Sequence, residues 1–226
     1  MKTAQHLLAT LAAVIVCLQP LTAQAETFEE LRAKAEQGLA EAQSNLGAYY
    51  EKGTGVEKNE AEAVNWYRKA AEQGLALAQY NLGACYSNGN GVEKDEAEAI
   101  KWYRKSAEQG YPQAQYNLGA CYANGTGIAK DETAAVKWYR MAAEQGYALA
   151  QCNLGSFYYS GVGLEENNLL AYKWFLLASA GGSDAAKFIN IPFVEAKLTA
   201  EQRAEGQRLA TEWQAAFEKR QAEAVK

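Results

Sequence analysis

Histidine is almost missing from this chain of 226 residues: its one copy is His6. The rest of the sequence therefore has no Ser-His or Cys-His nucleophilic pair, no histidine metal site and no imidazole general base. Positive charge is not in excess either, with Lys and Arg at 22 against 27 for Asp and Glu. The basic residues are scattered among Glu. They form neither a basic stripe with interleaved aromatics for nucleic acid nor a cationic amphipathic helix for a membrane surface. Walker A and dinucleotide loops are also missing, because the Gly-x-Gly segments lack a preceding strand and a Lys-Ser/Thr ending. Neighbouring carboxylates such as Glu96/Glu98 and Glu165/Glu166 read as solvated helix starts rather than an acid/base couple. No cofactor or metal site is expected, and no enzyme activity.

Past the N-terminus no stretch could cross a bilayer. The N-terminus has the make-up of an export signal: Lys2, an apolar run from Leu7 to Leu18, Pro20, and the small-residue site Ala23-Gln24-Ala25. Cleavage after Ala25 would remove His6 and release a periplasmic or secreted chain starting at Glu26, with no membrane attachment. Val16 stands where a lipoprotein signal wants Gly, Ala or Ser, so Cys17 is not read as a lipid site. Cys85, Cys121 and Cys152 would then remain. Cys85 and Cys121 hold equivalent positions in units whose helix axes should lie about 8–10 Å apart. A disulfide needs Cα atoms within about 7 Å, so packed free thiols are expected.

What the chain has in abundance is repetition. Trp66, Trp102, Trp138 and Trp174 fall 36 residues apart, a period that marks a stacked repeat array. The unit from Ala71 to Ser106 matches the next, Ala107 to Ala142, at roughly two-thirds of positions. Each unit holds two helical stretches. In the first, from about 78 to 88, Ala78, Leu82, Cys85 and Tyr86 share one face; in the second, from about 96 to 108, Ala99, Trp102, Tyr103 and Ser106 or Ala107 do so. Asp95 with Glu98, and Asn59 with Glu62, can form capping boxes. Gly74, Gly110 and Gly146 suit the left-handed position after the second helix. Gly-x-Gly turns (Gly53/Gly55, Gly89/Gly91, Gly125/Gly127, Gly161/Gly163) end the first, each followed by an apolar plug: Val56, Val92, Ile128, Leu164. Gly47, Gly83, Gly119 and Gly155 lie inside the first helix, where glycine costs roughly 1 kcal/mol against alanine. Close helix approach, with the Trp ring of the second helix nearby, is the expected compensation. The tryptophans themselves are read as structural.

The string of Ala78, Leu82, Gly83, Tyr86, Gly89, Gly91, Val92, Asp95, Ala99, Trp102, Tyr103, Ala107 and Gly110 resembles the Sel1-like repeat family, and the likeness spans about residues 35–182. The Gly-x-Gly loop and the longer period favour it over the tetratricopeptide unit of about 34 residues. The resemblance implies an all-α, right-handed α/α solenoid of four 36-residue helix-pair repeats with capping helices at both ends. It also implies a scaffold or adaptor role with no catalytic set to carry across. Some secreted members staple each repeat with a Cys pair. Here only Cys85 and Cys121 recur, so a β-lactam-related cell-envelope hydrolase is the lesser alternative.

On this frame the signal occupies 1–25, a capping helix 26–38, the array 39–182 and C-terminal capping helices 183–226. Thr27 and Glu30 should box the first cap. Beyond Gly182, Ala186 still fits the pattern, Asn190 and Ile191 replace its Leu-Gly pair, and Pro192 interrupts. Thr199 and Gln202 open a long helix whose Leu209, Trp213 and Phe217 should lie over the last repeat, with a frayed tail after Arg220. Self-association through that helix is a third functional reading. In arrays of this architecture the first helices line the concave face. Asn45, Asn81, Asn117 and Asn153 precede Leu-Gly in every unit, and an amide can both donate to and accept from a peptide backbone. With Tyr80 and Tyr116 one position earlier they form a candidate peptide-binding ladder for a protein or peptide partner. Bonding of the amides to adjacent loops, or persistence from duplication, is the alternative.

Overall fold

The computed structural model describes residues 27–224; the expected export signal, with His6, Cys17 and the cleavage site, lies outside them. Among the described residues every regular element is helical. Helix α1 (Phe28–Glu36) leads into four pairs: α2 (Ala40–Lys52) with α3 (Glu60–Glu72), α4 (Ala76–Asn88) with α5 (Glu96–Glu108), α6 (Pro112–Asn124) with α7 (Glu132–Glu144), and α8 (Ala148–Ser160) with α9 (Asn168–Ala180). A π-helical turn (Ala186–Asn190), the short α10 (Ile191–Glu195) and the long α11 (Ala200–Ala224) follow. Each paired helix packs on its predecessor and its successor, and α11 returns onto α9. The result is an α/α solenoid whose core is a seam between neighbours.

Local chemistry sets the boundaries. Asn59, Asp95, Asp131 and Asn167 each accept the backbone N–H three residues on, at 2.9–3.0 Å. Of the boxes expected at Asp95 and Asn59 only this amide half forms; Glu98 turns outward to Lys101 at 2.7 Å. Full reciprocal boxes stand at the two ends of the array instead, at Thr27/Glu30 and Thr199/Gln202. The first glycine of each Gly-x-Gly turn caps its helix at φ between +68° and +77°. In the last three turns the second, Gly91, Gly127 or Gly163, is pressed against the preceding unit: a Cβ on Gly91 would be driven into the Glu60 carbonyl that opens α3. Val92, Ile128 and Leu164 then fold back onto the core as plugs.

The mid-helix glycines do mark close approach, but not to tryptophan. A Cβ at Gly47, Gly83, Gly119 or Gly155 would stand 2.7–3.0 Å from a ring carbon of Tyr67, Tyr103, Tyr139 or Phe175. Each of these is the residue after a Trp. Successive residues turn by about 100° around a helix, so the pair serves two faces. The second ring seals its own helix pair, while the Trp reaches back to the unit before. Trp66 joins Leu31 and Ala35 of α1, and Trp102 joins Tyr67, Ala70 and Leu82.

A buried polar ladder ties the units together. Gln43, Gln79, Gln115 and Gln151 donate through Nε2 to the carbonyls of Ala35, Ala71, Ala107 and Ala143 at 3.1–3.2 Å. Gln73, Gln109 and Gln145 in turn donate to the Oε1 of the first three, at 2.7–2.8 Å. Arg68, Arg104 and Arg140 reach the hydroxyls of Tyr86, Tyr122 and Tyr158 at 2.8–3.0 Å. Helix α1 supplies the Ala35 carbonyl and so stands in for a second helix. At the other end Gly181 and Leu176 take the ladder positions, and the array stops. There Ala186 is buried and Asn190 donates to the Cys152 sulfur at 3.2 Å. Trp213 meets Trp174 edge-on at 5.9 Å and stacks on Phe217 at 5.0 Å. Helix α11 holds through Ala224 rather than fraying at Arg220.

Two substitutions separate these effects. Gly83→Ala raises helix propensity yet forces the buried Tyr103 ring aside, so a net loss of about 1–3 kcal/mol is expected. Trp102→Ala should cost about 3–5 kcal/mol. Urea unfolding reads both; a more stable Gly83→Ala protein would contradict the packing described.

Candidate binding groove along the first helices

Between consecutive first helices the surface opens into hollows of one design. Tyr80, Ala84, Ser87 and Asn88 of α4 face Asn117, Ala120, Cys121 and Asn124 of α6, with Tyr103 of α5 at the base, around about 350 Å³. One repeat later Tyr116, Ala120, Ala123 and Asn124 face Asn153, Ser156 and Phe157 over Tyr139, around about 510 Å³. The fold thus pairs Tyr80 with Asn117, and Tyr116 with Asn153, from neighbouring units. The other two ladder members fare differently. Asn81 is half-buried and Asn45 exposed. In their part of the array the Tyr67 hydroxyl donates to Glu51 at 2.8 Å, and Ser44 stands where later units carry Tyr80 and Tyr116.

The amides are not idle. Asn117 sits beside the Tyr103 phenol and Asn153 beside that of Tyr139, each favouring the ionised form. A primary amide offers a carbonyl acceptor and two N–H donors to partners. Two tyrosines that pack on groove residues escaped the sequence reading: Tyr111 and Tyr147, which precede α6 and α8. Their rings lie 5.2 Å from Tyr80 and 5.4 Å from Tyr116, while Tyr103 and Tyr139 lie at 5.9 and 5.7 Å from the same two rings. Their own 36-residue spacing was the available signal. The acids at the rim are neutralised locally, Glu96 by Lys94 at 2.7 Å and Glu132 by Lys130 at 2.6 Å. Among the described residues no group of His, Cys, Asp and Glu could hold a metal ion, and no helix is long and apolar enough to cross a membrane.

A model of the Sel1 repeat family matches residues 40–75, 76–111, 112–147 and 148–183. Among solved structures, the chain is similar to a protective antigen of uropathogenic Escherichia coli strains that displays an SLR fold, at 40% identity and a TM-score of 0.77. That match covers 86% of this chain but only 43% of the antigen. A Sel1 repeat protein from Oxalobacter formigenes is 36% identical with a TM-score of 0.70, covering 81% of this chain and 75% of that one. An immunity protein from Pseudomonas aeruginosa is 25% identical with a TM-score of 0.50, covering 82% and 73%. No curated protein matches the sequence.

The phenols and the thiol of the groove stay uncharged at neutral pH. Burial pushes the Tyr103 and Tyr139 phenols up to about 12, with Asn117 and Asn153 opposing the shift. Burial likewise raises the Cys85 thiol to about 12 and Cys121 to about 11. All three described cysteines are free. A thiol held neutral is a poor nucleophile and a poor metal ligand. These groups favour the folded state while neutral. Their contribution is complete below the ordinary thiol and phenol values and is lost as pH climbs from there towards 12. Urea midpoints should therefore fall steadily above about pH 9–10. At pH 8 the buried Cys85 should react with a thiol reagent only after denaturation; its rapid labelling in the native protein would contradict the burial.

Proposed function

The chain belongs to the Sel1 repeat family, whose members generally mediate contacts between proteins, and we propose that it is an exported adaptor holding a protein or peptide segment along its first helices. One observation carries the reading: the hollows repeat in step with the array, and each joins a tyrosine of one unit to the asparagine of the next. A backbone laid there finds amide donors and acceptors at the interval of the repeat. Phenol rings add flat contact area with few rotatable bonds to immobilise.

The proposed role is non-enzymatic, in keeping with a family that is generally a scaffold. The groove offers phenols, amides, hydroxyls and the neutral Cys121 thiol, with Glu96 and Glu132 each paired to a lysine at the rim. Stapled cysteines, on which a β-lactam hydrolase reading would rest, give way to free ones. The apolar stripe of α11 is occupied by the last repeat, as the Trp213 and Trp174 rings attest, which leaves self-association without its premise. Export rests on the composition of residues 1–25, and N-terminal sequencing of the protein recovered from the cell envelope should begin at Glu26. A protein that retains Met1 and stays with the cytoplasm would remove that part of the reading.

The groove itself is tested by Asn117→Ala combined with Asn153→Ala. Affinity for a partner drawn from an envelope extract should fall about tenfold to thirtyfold, since each lost hydrogen bond is worth about 1 kcal/mol. The thermal midpoint should barely move. Unaltered affinity would sink the proposal.

A further inference from the structure

Three asparagines of the chain are followed by glycine: Asn88, Asn90 and Asn124. An Asn-Gly bond is open to attack by the chain on itself, because glycine has no Cβ to keep its backbone nitrogen away from the neighbouring side-chain amide. The fold treats the three bonds differently. Asn88 and Asn124 are the last residues of α4 and α6. The nitrogen after each is already engaged: Gly89 and Gly125 donate to the carbonyls of Cys85 and Cys121 at 2.8 Å. Asn90 lies outside any helix, half-buried in the bend between α4 and α5. Its own N–H donates to the Cys85 carbonyl at 3.1 Å, but from Gly91 to Lys94 no backbone N–H donates to any described residue. Asn90 is also alone at its place in the repeat. The middle residue of the other Gly-x-Gly turns is Thr54, Thr126 or Val162, none of which carries an amide.

We propose that Asn90 is a site of spontaneous covalent modification, where the chain deamidates through a cyclic imide and gains a carboxylate and, in part of the molecules, a longer backbone. The Gly91 nitrogen, losing its proton to hydroxide, attacks Cγ of Asn90. The bond from Cγ to Nδ2 breaks, and the departing nitrogen takes up a proton from water and leaves as ammonia. Water then opens the ring at one of two bonds. Opening between Cγ and the Gly91 nitrogen leaves an aspartate on the original backbone. Opening between the backbone carbonyl carbon and that nitrogen leaves an isoaspartate, whose chain runs through Cβ and Cγ. In sum one water enters and one ammonia departs, and nothing is oxidised or reduced.

The surroundings give the two products different consequences. Gly91, at φ +69°, is pressed on the Glu60 carbonyl of the first unit with no room for a Cβ. Val92 beside it packs on the core that holds Val64 and Tyr67 of α3. An aspartate leaves both residues where they are. An isoaspartate inserts one more backbone atom before Gly91 and drives it from its seat, with Val92 following. The stability of a stacked array is a sum over neighbouring interfaces, so the loss falls on the joint between the first and second units. Gly127 and Gly163 make the same contact at the later joints, but they follow Thr126 and Val162 and cannot age in this way.

The test is incubation of the folded protein at mildly alkaline pH, followed by peptide mass mapping and enzymatic methylation of isoaspartate. A sample held in urea serves as control. In the folded protein Asn90 should convert at least about fivefold faster than Asn88 and Asn124, the factor supplied by one net backbone hydrogen bond. In urea the three rates should converge. The isoaspartate-bearing fraction should unfold at lower urea than fresh protein. Asn90→Asp, which has the charge without the extra atom, should keep the midpoint of fresh protein, and Asn90→Thr should not lose stability with time. Equal rates at the three sites in the folded protein, or an Asn90 that survives while the urea control reacts, would overturn the site. An isoaspartate fraction as stable as fresh protein, or an Asn90→Asp variant as weak as that fraction, would overturn the backbone consequence.

Discussion

Each first helix carries one buried glutamine whose N–H meets an alanine carbonyl of the preceding helix, and in the first three units its oxygen accepts from the glutamine that closes its own helix pair. A buried amide left with either end unpaired costs about 1–3 kcal/mol, so a unit cannot slide against its predecessor without losing the bond from its glutamine to the alanine carbonyl. This contact sets the interval at which everything else on the array recurs. Where glycine replaces the second glutamine, at Gly181, the regular stack gives way to the π-helical turn and α11. The ladder therefore limits the length of the array as well as its register.

Within that register the second helix divides its work between adjacent residues. Tryptophan reaches back to the earlier unit and supplies the apolar seam expected of a solenoid, whose stability is a sum over neighbouring interfaces. The following tyrosine lies against a glycine of its own pair, and its hydroxyl end forms the base of a hollow. Packing and the groove are coupled through one ring. The glycine that brings the helices together also sets the depth of the groove, and the phenol at the base lies beside the asparagine of the next unit.

The groove changes character along its length because the repeat decays while its geometry persists. Phe175 keeps the ring and drops the hydroxyl. Asn190, at the position of Leu118 and Leu154, donates to the Cys152 sulfur. Phe188, Ile189 and Phe193 come to the surface because no further unit covers them. The closing helix shields the opposite part of the last pair through Trp213 and Phe217. One end of the array is thus sealed on one side and left apolar on the other.

Much of this was legible in the linear chain. The period, the paired helices, the Asx caps and the glycine turns are local: each depends on residues within a few positions, where backbone sterics and amide satisfaction act without reference to the rest of the fold. Four registered asparagines were likewise visible, and so was the last repeat's departure from the pattern. The ring that meets each helical glycine was not, because two neighbouring aromatics fit the same periodicity and only the angle between helices chooses between them. The glutamine ladder joins residues 30 apart in sequence, and Tyr111 packs on Tyr80 of a helix that begins at Ala76. Sequence by itself determined what each unit is, since a helix pair answers to its own residues. Tertiary structure decided which faces of successive units meet, since that depends on the mutual fit of surfaces far apart along the chain.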